Sequence, residues 1–268
     1  MREGPGEAGR RPHIFSPEGE AALARLLQQR VLLAFDFDGT LAPIVTQPAQ
    51  ARLSLAVAAR LAALAARVPV AVVSGRALAD LRERLGFAPT YLFGNHGAED
   101  ADAPDAAARL RHALDPLRAH LQTQETELAA ANVTIEDKGL SLALHYRLAP
   151  SQEAALAAIR TALAARPPGF TVFAGKRVVN VAPQGSPDKG HALQTLVTRS
   201  GAEAALFAGD DVNDEPAFLR APPHWLTLRV GRDTDSAARF YLDSPVEMAM
   251  LLERIRQRLD HPPGAARP

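Results

Sequence analysis

Short apolar runs that alternate with alanine- and leucine-rich segments constrain this chain more than any other feature. RVLLAF (30–35), VPVAVV (68–73), TYLF (90–93), AALFAG (204–209) and HWLTLRV (224–230) read as strands. Between them lie helical patterns. Around SLAVAARLAALAAR (54–67), Leu53 just before it and Val57, Leu61 and Leu64 within it fall along one face. ALADLRERLG stops at Gly86 and KGHALQTLVTRSG at Gly201. A last helix opens on Ser244-Pro245-Val246-Glu247, the pattern of a capping box with proline at its first helical position. Strand and helix in alternation imply a parallel sheet.

The middle of the chain breaks this rhythm. ADAPDAAARLRHALDPL runs from loop to helix. VTIEDKGLSLALHYR then reads as a hairpin whose second strand alternates Leu140, Leu142, Leu144 and Tyr146. A helix over about 151–166 follows, then a second hairpin, GFTVFAGKRVVNVAP, around Gly175. Hairpin, helix, hairpin implies an antiparallel sheet covered on one face. The expected fold class is therefore α/β: a doubly wound parallel-sheet core (13–100 and 184–260), an inserted α+β domain (101–183), and flexible tails (1–12 and 261–268).

Composition excludes several functions. Thirty basic and thirty acidic residues cancel in 268, so no net field draws the chain to nucleic acid or anionic lipid. There is no cysteine, which removes disulfides, thiolate catalysis and thiolate metal sites. The first dozen residues lack the apolar stretch of a signal peptide, and no run approaches the roughly 18 apolar residues of a membrane span. A cytoplasmic monomer acting on a small molecule is expected.

The chemistry collects at strand ends. Side chains alternate along a strand, so Asp36 and Asp38 project to one side while Phe35 and Phe37 face the other. In open α/β sheets ligands bind beyond the carboxyl ends of strands. Ser74 lies at such an end, and so do Asp210, Asp211, Asp214 and Glu215 in GDDVNDE. So many anions in one crevice repel one another unless a hard cation joins them, and oxygen-only ligands point to Mg²⁺. Ser74 and the amides of Gly75 and Arg76 suit phosphate oxygens, and Lys189 adds positive charge at a helix start. Phosphoryl transfer through an aspartate nucleophile fits this set. Taken singly, each piece has an ordinary reading. Asp-x-Asp is usually a turn and also serves as a metal motif in nucleotide-sugar glycosyltransferases; Ser-Gly-Arg is usually a turn. Neither a P-loop nor a G-x-G-x-x-G after a strand is present.

In this order, DFDGT, VVSGR, DKG and GDDVNDE resemble the four motifs of the haloacid dehalogenase superfamily of phosphohydrolases. With GNHGAE and EDKGLSLALHYR they resemble the trehalose-6-phosphate phosphatases within it, over about residues 30–260. That resemblance implies a haloacid dehalogenase-like core with a mobile cap formed by the inserted domain. It implies Asp36 as the nucleophile, Asp38 as the acid and later base, and Lys189 as the charge that steadies both Asp36 and the phosphoryl group. Thr40, Ser74 and Gly75 would hold phosphate. Mg²⁺ would sit on Asp36, the Asp38 carbonyl and Asp210, with Asp211 and Asp214 in support. Arg76, Asn95, His96 and Glu99 would reach the sugar from the core, and Glu136, Lys138 and Arg147 from the cap. Read without the motif, His96 is a surface histidine and Glu136 and Lys138 a solvated hairpin face. The chain departs from the family's GK-x-V-x-E-x-R-P stretch: GKRVVNVAP has Asn180 and Ala182 in place of the glutamate and arginine. Another phosphosugar phosphatase, a phosphosugar mutase and an inactive sugar-phosphate sensor are the competing readings. At this length no fused glycosyltransferase domain is expected.

Overall fold

The computed structural model describes residues 11–45 and 47–261; of the expected tails, all but Arg11, Pro12 and His261 lie outside the described residues. The chain begins with α1 (Pro17–Leu26), β1 (Val31–Phe35), α2 (Leu55–Ala65), β2 (Val70–Val73), α3 (Leu78–Leu85), β3 (Tyr91–Gly94) and β4 (Glu99–Asp100). Next come α4 (Pro104–Ala113), α5 (Asp115–Thr123), α6 (Glu125–Ala130), β5 (Thr134–Asp137), β6 (Leu142–His145), α7 (Gln152–Ala164), β7 (Phe170–Gly175) and β8 (Val178–Pro183). It closes with α8 (Lys189–Ser200), β9 (Ala204–Gly209), α9 (Glu215–Arg220), β10 (Leu226–Val230), β11 (Phe240–Leu242) and α10 (Met248–Asp260).

The larger sheet has the order β11-β10-β9-β1-β2-β3-β4, parallel throughout except for the short antiparallel β4. β1 runs through its middle with all five residues buried, Leu33 opposite Val70 on one side and Phe35 opposite Ala208 on the other. Helices cover both faces of such a sheet, which is why β1 can be apolar without alternation. In α2 the Ser54 side chain accepts from the Val57 amide, and Val57, Leu61 and Leu64 are buried. Gly86 and Gly201 end α3 and α8 in the left-handed conformation. No helix among the described residues is long and apolar enough to cross a membrane.

The second sheet is antiparallel, in the order β5-β6-β8-β7. One face buries Leu142, Leu144 and Val181 with Leu117, Leu121 and Leu128 of α5 and α6 and Ile159 and Leu163 of α7, in an apolar cluster apart from that of the larger sheet. Glu136, Ala143, Asn180 and Phe173 stand in one cross-strand row. This row lies on the opposite face, because side chains alternate along each strand.

Several local expectations change. Ser244 makes no side-chain cap; Pro245–Glu247 form a 3-10 turn and α10 begins at Met248. Glu247 instead accepts from the Asp243 amide at 2.7 Å and takes His13 at 3.2 Å, so its carboxylate is spent one residue further back than a capping box needs. The hairpin turn is Lys176-Arg177, with Arg177 at φ 60°, and Gly175 is the last residue of β7. α1 and β11 are not among the elements expected from the sequence. α1 starts on a Ser16 cap with Pro17 at its first position, and β11 is only three residues long. Pro12 and His13 pair with Tyr241 beside β11.

Candidate active site

From β1 the strand order runs outward through β2 and β3 on one side and through β9 and β10 on the other. The crevice at the carboxyl ends of β1 and β9 is thus a topological switch point, where such sheets bind ligands. Asp36 follows β1 and its amide donates to the Ala208 carbonyl at 2.9 Å; Asp210 follows β9. Gly39, at φ 81°, lies against the Asp210 carboxylate so closely that a Cβ there would overlap it. Asp214 folds back from a 3-10 turn, and its Oδ2 accepts the Asp210 and Asp211 amides at 2.8 and 2.9 Å. Lys189, the first residue of α8, reaches Asp36 Oδ1 at 2.7 Å and Asp214 Oδ1 at 2.6 Å. Carboxylate oxygens of Asp36, Asp210 and Asp214 all lie within 4.8 Å of one another.

Burial sets the electrostatics here. It pushes the Asp36 carboxyl well above its usual value, Lys189 only partly offsets this, and Asp214 and Asp210 add to it. Burial raises Asp210 to about 6, against the pull of Lys176. Burial works against the Lys189 ammonium, but Asp214 and Asp36 outweigh it and hold the proton on. The cluster is short of positive charge, and its donors are all hard oxygens. A small divalent cation meets both conditions, and Asp36 and Asp210 are placed to hold it. Asp214 has both oxygens engaged and fits a supporting role. So does Asp211, which accepts from the Val212 amide at 2.7 Å. Buried Arg229 of β10, not singled out from the sequence, braces this loop through the Asp211 carbonyl at 2.9 Å and Glu215 at 3.1 Å.

Asp38 stands beside this cluster in a two-pronged pair with Arg76, at 2.6 and 2.7 Å. Arg76 also bonds Asp80 at 2.7 Å and lies over the Phe37 ring. Burial opposes its charge, but Asp38 and Asp80 more than restore it. Arg76 thus lines the cavity floor while paired with Asp38. Thr40 and Ser74 are buried. Thr40 Oγ1 has no partner, and Ser74 Oγ accepts the Arg76 amide at 3.2 Å. Gly75 packs against His96, and a Cβ there would overlap the ring.

A cavity of about 150 Å³ opens over Asp36 and Asp38, walled by Glu136, Lys138, Arg147 and Asn180 of the second sheet and its flanks and by His96 of the core. Glu136 takes His145 at 2.7 Å, and that bond is the main reason its carboxyl is held low. Lys138 donates to the Gly75 carbonyl at 3.1 Å; burial lowers its pKa, with Glu136 and Asp38 working against the shift. Burial likewise keeps His96 neutral, and Lys138 and Lys189 reinforce that. Its ring meets Phe173 edge-on at 5.1 Å.

Two expected sugar contacts do not line this cavity. Asn95 donates to Glu99 at 2.9 Å and to the Lys138 carbonyl at 3.0 Å, and accepts from Ser141 at 3.0 Å. Glu99 also accepts the Leu78 amide at 2.9 Å. Together they tie the start of α3 to the β5–β6 turn. Arg147 reaches the cavity wall while donating to the Val45 carbonyl at 2.9 Å. Lys176 and His145 line the cavity but were missed in the sequence. His145 could have been found as the diagonal neighbour of Glu136 across the hairpin, and Lys176 as the lysine that GKRVVNVAP shares with the family's GK-x-V-x-E-x-R-P stretch.

A second group, His13, Asp243 and Glu247, is also close enough to hold a metal. Its chemistry argues otherwise. His13 Nδ1 accepts the Phe15 amide at 3.2 Å, so Nε2 carries the proton toward Glu247, the reverse of what a metal-ligating histidine needs. Arg232 already pairs with Asp243 at 2.6 Å.

Comparison with known proteins agrees with this geometry. The family model described as trehalose-phosphatase matches residues 34–243. A trehalose-phosphate phosphatase of Mycolicibacterium paratuberculosis is 34% identical over 97% of this chain, and this chain spans 66% of that protein. One from Mycobacterium ulcerans is 32% identical over 94% of the chain and 69% of the relative. The C-terminal domain of the C. albicans trehalose-6-phosphate phosphatase superposes with a TM-score of 0.75 over 94% of this chain and 99% of that domain, a likeness of fold at 22% identity. The model covers most of the chain, including both Asp36 and Asp210, and the chain belongs to the trehalose-phosphatase family.

Proposed function

We propose that this protein is a Mg²⁺-dependent phosphatase that hydrolyses trehalose 6-phosphate to trehalose and phosphate in the cytoplasm, through an aspartyl-phosphate on Asp36. The observation that carries the reading is the buried triad of Asp36, Asp210 and Asp214 bridged by Lys189, with Asp38 two residues beyond Asp36 on the same loop. A buried carboxylate held by one ammonium is oriented, desolvated and able to attack phosphorus. Lys189 stays charged throughout and steadies the transferring phosphoryl group. In this reading Asp38 protonates the leaving sugar oxygen and then activates water, for which Arg76 must release one of its oxygens. Mg²⁺ on Asp36 and Asp210, when bound, would screen the charge between nucleophile and phosphate.

Residues 101–183 act in this reading as a cap that closes on the sugar. Glu136, Lys138 and Asn180 offer a carboxylate, an ammonium and an amide to its hydroxyls. Asn180 is buried, and beyond its approach to the His96 ring its carboxamide makes no well-formed hydrogen bond, which leaves it capacity for a ligand. Phosphate release from trehalose 6-phosphate, sucrose 6-phosphate and glucose 6-phosphate tests the substrate. A specificity constant for trehalose 6-phosphate at least about tenfold above the others is expected, because binding energy from the second ring closes the cap. Values equal within about threefold would leave a phosphatase but remove trehalose 6-phosphate as its particular substrate.

A further inference from the structure

Lys176 lies in the turn between β7 and β8, and none of the chemistry above uses it. Its side chain is 43% exposed, yet its ammonium is ion-paired with Asp210, which is 3% exposed. The Lys176 amide donates to Asp211 Oδ2 at 3.2 Å. Gly175 packs so tightly on this loop that a Cβ would stand 3.0 Å from Asn213 Nδ2. The tip of the second sheet is therefore fastened to the one loop of the core that carries Asp210.

Asp210 is also one of the carboxylates on which the proposed cation depends. An ammonium and a divalent cation in contact with one buried carboxylate repel each other strongly, so each weakens the other's hold. We propose that Lys176 is a latch that competes with the divalent cation for Asp210, so that metal binding frees the β7–β8 turn from the core. This rests on the metal reading of the Asp36–Asp210 site. Its consequence is an order of events: the crevice opens to substrate once it is charged with metal, and a site without metal stays shut against phosphosugars that it could not turn over.

Linkage makes the claim reciprocal: whatever factor the latch takes from metal affinity, the metal must take from the latch. The experiment uses the full chain and Mg²⁺ alone. Calorimetric titration of wild type, Lys176→Met, Lys176→Arg and Asp210→Asn measures affinity; hydrogen exchange of the 170–183 segment with and without Mg²⁺ measures the latch. Lys176→Met should bind Mg²⁺ at least about 5-fold more tightly than wild type. Lys176→Arg should stay within about 3-fold of wild type, and Asp210→Asn should bind weakly. In wild type, Mg²⁺ should speed exchange of the turn amides, whereas in Lys176→Met exchange should be fast in either condition. Equal Mg²⁺ affinity in wild type and Lys176→Met, or slower exchange of the wild-type turn with Mg²⁺, would overturn the latch while leaving the metal site standing. No Mg²⁺ binding by any of the four proteins would remove the metal reading and the latch with it. The wild-type exchange experiment decides the matter even where a variant fails to fold.

Discussion

Replacing Lys189 by methionine isolates what holds the carboxylates together. The side chain is 3% exposed and bridges Asp36 and Asp214, themselves 6% and 0% exposed. Methionine fills a similar volume without the charge. Removing one partner of a buried pair costs about 3–5 kcal/mol, because the partner left behind is an uncompensated buried ion. In a chain of this size that lowers the thermal midpoint by about 6–20 °C. The deficit should depend on pH in a definite direction. Burial already holds the folded Asp36 carboxyl above its value of 3.8, and losing Lys189 removes the largest influence that lowers it. A group whose folded pKa exceeds its unfolded one costs stability as pH rises between the two, and the loss is recovered as pH falls. Thermal unfolding of wild type and variant at pH 7 and pH 5, in chelator, should therefore show a gap that narrows on acidification. Adding Mg²⁺ at pH 7 should narrow it as well. A variant within about 2 °C of wild type at pH 7, or a gap that widens toward pH 5, would refute the account of Lys189 as the counter-charge of the triad.

Asp36→Asn should keep the fold by circular dichroism and lose about 10³-fold or more in turnover; phosphate release near the wild-type rate under saturating substrate would rule out Asp36 as nucleophile. His96 is held neutral by burial, so its folded pKa lies below its unfolded value near 6.5, and protonation of the unfolded chain drains stability as pH falls past that value. Urea denaturation should show His96→Asn, which keeps a residue tolerant of the positive φ at this position, closing its deficit against wild type by up to about 2 kcal/mol between pH 7 and pH 5; a constant deficit would count against a buried neutral imidazole.

Much of this molecule is legible from local pattern. The alternation of strand and helix carries the parallel sheet, because each strand must be apolar enough to be covered on both faces. The meeting of Asp36 with Asp210, 174 positions apart in the numbering, is legible because both end strands and strand ends share one edge of the sheet. Less can be read where a side chain's role depends on its neighbour. Asn95, Glu99 and Arg76 are polar residues in promising motifs, and the structure engages them with the β5–β6 turn, the start of α3 and Asp38. Ser244 looks like a cap, but Glu247 is drawn to the Asp243 amide and the helix starts a turn later. Competition among partners is a three-dimensional quantity, and spacing alone does not report it.

The sequence by itself determined the α/β class, the strand ends that carry the carboxylates, and membership of the family. Backbone periodicity and motif order are properties of short segments, complete within each one. The resemblance already sets Lys189 beside Asp36, but only the tertiary structure decided the counter-charges of the other carboxylates. Lys189 bridges Asp36 and Asp214, Arg76 takes Asp38, and Lys176 reaches from the second sheet to Asp210. Those pairings depend on where two sheets come to rest against each other. A charge 34 residues away in the chain becomes a neighbour only when the β7–β8 turn folds down onto the loop that follows β9.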